Sequence, residues 1–167
     1  MRTFGNVMFV MAAVLVAGCG DDDDDDDDII DNNNVTTFDV TLTPSQETPP
    51  CPAANPNATG TASISVADND EFIRVNQLTF TNLSSPVTAA HIHQAPPGVA
   101  GPIVFPIDVN VVPFATVAFD AADFPNPVPE GVAPNFVAFT DAVRAGDTYI
   151  NVHTEACPDG EIRAQIE

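Results

Sequence analysis

From Val35 onward, apolar and polar residues alternate in short runs, each closed by turn-forming residues. A period of two sends successive side chains to opposite faces of an extended chain, so these runs predict strands with one face on a core. Val35 to Thr43 places Phe38, Val40 and Leu42 on one face, and Thr59 to Ala67 does the same with Ala62, Ile64 and Val66. Asp68-Asn69-Asp70 supplies turn chemistry before Glu71 to Thr81, where Phe72 and Arg74 oppose Ile73 and Val75, and the two runs together predict a hairpin. Further strands are expected after the break at Ser84-Ser85-Pro86, over 102–108, within 109–119, and over 148–153 and 161–166. Proline-rich stretches at 44–57 and 120–134, and the turn Ala95-Pro96-Pro97-Gly98-Val99-Ala100-Gly101, read as connections.

One segment keeps a different period. Phe136, Phe139, Thr140 and Val143 recur at helical spacing, with Gly146 as a stop, and predict a helix over Asn135 to Ala145. Many short strands with so little helix indicate an all-β fold, an antiparallel Greek-key-like sandwich or barrel carrying one short helix.

The chain ahead of these strands has another character. Arg2 and the apolar run from Phe4 to Val16 form a signal peptide, too short to span a bilayer comfortably, and residues 1–18 are set aside as a targeting segment. Val16-Ala17-Gly18-Cys19 has the form of a bacterial lipobox, in which Cys19 becomes the lipid-bearing N-terminus. Eight aspartates, Asp21 to Asp28, follow Gly20; their mutual repulsion makes residues 19–34 an extended, solvated tether. The expected organisation is thus a signal peptide, a lipidated tether and one domain over 35–167. The expected location is the bacterial cell envelope, lipid-anchored, either periplasmic or at the outer membrane or cell surface, with a protein partner left undefined.

Charge narrows the partners. The chain carries a formal net charge of −20, and Arg74, Arg144 and Arg163 are the only basic residues after the signal. Phosphate contacts need basic groups, so nucleic-acid binding is excluded.

With Cys19 lipidated, Cys51 and Cys157 remain as a pair in an exported chain, which favours a disulfide; free thiols, or thiolates joining the histidines as metal ligands, are the alternatives. All three histidines lie in two segments, Ala89-Ala90-His91-Ile92-His93 and Tyr149-Ile150-Asn151-Val152-His153. On strands, His91 and His93 share a face, as do Tyr149, Asn151 and His153. If the strands are neighbours, three imidazoles meet and offer a site for copper or zinc. The competing reading has the rings hydrogen-bonded to carbonyls and carboxylates, with no cofactor.

Six ordered blocks carry a resemblance. Gln46-Glu47-Thr48-Pro49-Pro50, Ala58-Thr59-Gly60-Thr61-Ala62, Ala89-Ala90-His91-Ile92-His93, Gly98-Val99-Ala100-Gly101-Pro102-Ile103-Val104, Tyr149-Ile150-Asn151-Val152-His153-Thr154 and Gly160-Glu161-Ile162-Arg163 resemble the CHRD domain, the module first noted in chordin. The resemblance implies an all-β, Greek-key-like module of poorly defined activity. Its paired-histidine strand is similar to one in copper/zinc superoxide dismutase sandwiches, but the further histidines and bridging ligand of a dismutase are absent. Ala164 stands where the family usually has glycine. Within these blocks, Glu161 and Arg163 lie two apart and are expected near His91, His93 and His153, paired with each other or with a ring.

No esterase elbow, zinc-protease helix, phosphate loop or dinucleotide fingerprint occurs. The expected function is a membrane-anchored, non-enzymatic binding or structural module, with a metalloprotein built on His91, His93 and His153 as the alternative. Replacing Cys19 with serine should leave the domain folded and release it from the membrane fraction; retention in that fraction would rule out lipid attachment at Cys19 as the anchor.

Overall fold

The computed structural model describes residues 34–111 and 115–167. The signal peptide, Cys19 and the aspartate tether lie outside the described residues. Among the described residues, eight strands form two antiparallel four-stranded sheets, the sandwich rather than the barrel of the sequence expectation.

The first sheet contains β1 (Val35–Leu42), β2 (Thr59–Ala67), β3 (Ile73–Thr81) and β6 (Val117–Phe119), in that spatial order. The second contains β4 (Val87–Gln94), β5 (Ile103–Ile107), β7 (Thr148–Thr154) and β8 (Ile162–Gln165), in the order β5-β4-β7-β8. Between β3 and β4 the chain crosses from one sheet to the other, and it crosses back between β5 and β6. The inner faces meet in one core of alternate residues, among them Leu42, Ile64, Val66, Ile73, Val75, Ile92, Ile150, Val152 and Ile162.

Simple alternation fails at one place in the hairpin. Ser63 pairs with Gln77, but Ile64 pairs with Val75, so Asn76 has no opposite residue. This bulge shifts the inward set of β3 by one, from Ile73 and Val75 to Leu78. Asn76 uses its freedom to donate to the Ser65 hydroxyl at 2.7 Å.

The expected helix is present as α1 (Phe136–Arg144). Asn135 caps it, its side-chain oxygen accepting from the Ala138 amide at 2.9 Å, and Gly146 ends it with a positive φ of 79°. Arg144 and the Thr140 hydroxyl both reach Asp70 in the β2–β3 turn, at 2.8 and 2.6 Å, which ties the helix to the hairpin. The buried side of α1 brings Phe136 and Phe139 onto Phe105 of β5, whose ring also stacks on Phe119 at 4.6 Å.

Two connections bear on the site. After β1, Thr43 forms a bridge to Arg163 of β8, with reciprocal backbone hydrogen bonds of 3.0 and 3.1 Å. This contact joins the sheets along one edge and starts the 44–58 loop across the outer face of β7 and β8. The Cys51–Cys157 disulfide then fastens the loop to the turn after β7, across a sequence separation of 106 residues. Neither cysteine is a free thiol or a metal ligand. Outer-face residues of β7 and β8 are buried as a result.

Phe139 is fully buried at the centre of the aromatic cluster. Phe139→Ala should lower stability by about 3–5 kcal/mol in urea denaturation, and a loss below about 1 kcal/mol would show that α1 is not seated on the core.

Candidate functional site

The site lies on the outer face of the second sheet, where the β4–β7 register decides which side chains meet. His91 pairs with Asn151, His93 with Tyr149 and Ala89 with His153. Because Ile92, Ile150 and Val152 face the core, all three imidazoles, Tyr149 and Asn151 face outward together. One ligand nitrogen from each of His91, His93 and His153 lies within 4.8 Å of the others. His91 Nδ1 and His153 Nε2 are 3.0 Å apart.

Two of these rings are held by the backbone. His93 donates from Nδ1 to the Gly101 carbonyl at 2.9 Å, and His153 donates from Nδ1 to the Pro158 carbonyl at 2.9 Å. A neutral ring with its proton on Nδ1 presents a lone pair at Nε2. Both Nε2 atoms turn inward, 3.1 and 3.0 Å from the side-chain oxygen of Asn151. Gly101 is required for this arrangement, since a Cβ there would collide with the Gln94 carbonyl.

Burial keeps protons off two of the rings. It is the main cause that pushes His91 down to about 4, with His153 and His93 adding to the effect. His93 is also lowered chiefly by burial, the Gly101 hydrogen bond opposing. At neutral pH both rings are therefore neutral, each carrying one nitrogen lone pair.

Behind the rings stands a second layer. Tyr149 stacks on His93 with centroids 4.6 Å apart, and the Arg163 guanidinium lies 3.4 Å from the Tyr149 centroid. Since β7 runs between β4 and β8, the tyrosine ring is held between an imidazole and a cation. Arg163 also donates to the Val99 carbonyl at 2.9 Å and to Gln165 at 3.1 Å.

The expected pairing of Glu161 with Arg163 or with a histidine is not what the structure shows. Glu161 precedes β8 and turns to the loops, accepting from the Asn55 amide, the Ser84 amide, the Ser84 hydroxyl and the Thr154 hydroxyl at 2.7–3.2 Å. Burial would raise its pKa, but these four donors outweigh it and hold the carboxyl below the usual range. Glu161 is a fastener for three chain segments. Arg163, by contrast, does reach the site, through Tyr149.

The carboxylate facing Arg163 is Glu47, which sequence reasoning did not assign to the site. Only 5% exposed, it lines the same cleft of about 960 Å³ as His91, His93, Tyr149, Asn151 and His153. Its Oε1 has no hydrogen-bond partner. Burial pushes its pKa up to about 7, opposed by Arg163, the Thr48 amide and Asn151. The one signal in the chain was its place in the Gln46-Glu47-Thr48-Pro49-Pro50 block. Gly160, with φ at 126°, leaves the space this carboxyl fills; a Cβ there would collide with Glu47 Oε1.

A family model of the CHRD domain matches residues 38–166. The chain belongs to the CHRD domain family. No curated protein and no solved structure matches it. The match takes in both sheets, α1 and every residue of the cleft, so the histidine face is part of this chain's CHRD domain rather than an addition to it.

The buried carboxyl of Glu47 makes a pH prediction. Below about 4.5 both folded and unfolded chains hold its proton, and between there and about 7 only the folded chain does. Its contribution is therefore fullest below 4.5 and is lost as pH rises to about 7. His91 works in the opposite sense, losing stability as pH falls from 6.5 through about 4. The stability of Glu47→Gln relative to wild type should therefore be greater at about pH 8 than at about pH 4, by up to about 3 kcal/mol in urea denaturation. An equal difference at both pH values would mean that Glu47 titrates as an open surface carboxyl.

Proposed function

We propose that this CHRD domain is a binding module that holds one copper or zinc ion through His91, His93 and His153, displayed in the bacterial cell envelope by a lipid on Cys19 and the acidic tether. The observation that carries this reading is the commitment of His93 Nδ1 and His153 Nδ1 to backbone carbonyls, which leaves both Nε2 atoms facing the Asn151 oxygen in a cluster with a nitrogen of His91. A hydrogen bond from the far nitrogen to a carbonyl is what orients histidines that ligate metals and raises their basicity. Neutral imidazoles suit copper and zinc, whereas calcium and magnesium favour oxygen donors. Three imidazoles leave room for at least one further ligand.

The ion is held rather than turned over. The chain carries no recognised catalytic motif. The location rests on the lipobox and on the eight-aspartate spacer. A module without an ion is the second reading. It draws on Asn151, whose amide lies against both Nε2 atoms and could satisfy them by itself if its nitrogen faced them.

Metal content of the full chain, purified without a histidine tag and incubated with Cu(II) or Zn(II), separates the two. About one ion per chain is expected, with His93→Ala and His153→Ala each weakening affinity by more than about 100-fold. A wild-type chain with no bound ion after dialysis would leave the metal-free module.

A further inference from the structure

We infer that Asn151 is the fourth ligand, its side-chain oxygen completing a three-nitrogen, one-oxygen site with His91, His93 and His153. This rests on the metal reading above and names a ligand that the histidine pattern does not reveal.

The argument starts from donors and acceptors. The Asn151 oxygen lies 3.1 Å from His93 Nε2 and 3.0 Å from His153 Nε2. Each ring donates from Nδ1 to a carbonyl, so in its neutral form each brings a lone pair to an oxygen that is itself an acceptor. Acceptors facing one another repel unless a cation lies among them. The separations also fit one ion, because two donors about 2.1 Å from it and at right angles are about 3.0 Å apart. Right-angled nitrogen and oxygen ligands are the preference of Cu(II).

An amide has a second setting, with its nitrogen toward the rings. The oxygen is the atom that lies against both Nε2 positions, at 3.1 and 3.0 Å, and that is the setting a shared ion requires.

The test uses the full chain without a histidine tag and Cu(II) as the probe, with affinity from chelator competition and the ligand field from electron paramagnetic resonance. Asn151→Ala should keep one copper per chain but bind it about 10- to 100-fold more weakly, with a changed spectrum. Asn151→Asp, nearly the same shape with a charged oxygen, should bind at least as tightly as wild type. If Asn151→Ala fails to fold, Asn151→Asp carries the test alone, and weaker binding by it would overturn the assignment. Unchanged or tighter binding by Asn151→Ala, with the wild-type spectrum, would show that the amide only caps empty rings. A wild-type chain that takes up no copper would overturn the metal reading as well, so the two failures are distinct.

Discussion

The antiparallel register between β4 and β7 is the constraint on which the rest of the molecule depends. It places His91 opposite Asn151 and His93 opposite Tyr149 on one side, while Ile92 opposes Ile150 and Ala90 opposes Val152 on the other. A slip of one residue would exchange these sets, sending imidazoles into the core and isoleucines into the cleft. The apolar side thus enforces the polar one. Core burial sets the register, and the register gathers the site.

A sheet face left open to water would hold these groups in their ordinary states. Here the face is covered, and covering it is the work of loops rather than of a third layer. The 44–58 loop leaves β1 through the Thr43–Arg163 bridge, brings Glu47 over Arg163 and is fastened at Cys51 to Cys157. The 95–102 loop supplies the Gly101 carbonyl to His93, and the turn after β7 supplies the Pro158 carbonyl to His153. Desolvation then favours neutral His91 and His93 and a protonated Glu47, while four donors keep Glu161 ionised. Two buried carboxyls in one small domain are driven in opposite directions, Glu47 upward by burial and Glu161 downward by its four donors.

Much of the architecture was legible along the chain. Alternation located β1, β2, β7 and β8 to within a residue or two, because each has one face on the core. The helical spacing of Phe136, Phe139, Thr140 and Val143, with Gly146 as a stop, marked α1, whereas the capping role of Asn135, expected as the first helical residue, came only from the structure. The bulge at Asn76 was not legible, since an extra residue leaves no compositional trace. The expected pairing of Glu161 with Arg163 or with a ring is absent for a related reason. Their spacing implied one shared environment, but Glu161 precedes β8, and the backbone amides of Asn55 and Ser84 reach it where Arg163 does not.

What the sequence determined by itself was everything carried by short-range pattern: two sheets' worth of amphipathic strands, one capped helix, three histidines on two strands and a CHRD-like order of blocks. Tertiary structure alone decided that β4 and β7 are neighbours and that Glu47 lies beside Asn151 in the same cleft. Which carbonyls fix the ring tautomers was decided at the same level. The division follows from physics. Periodicity records the contact each residue makes with the core, whereas Glu47 sits in a proline-rich loop without periodicity, and its burial and raised pKa exist only once distant segments fold over it.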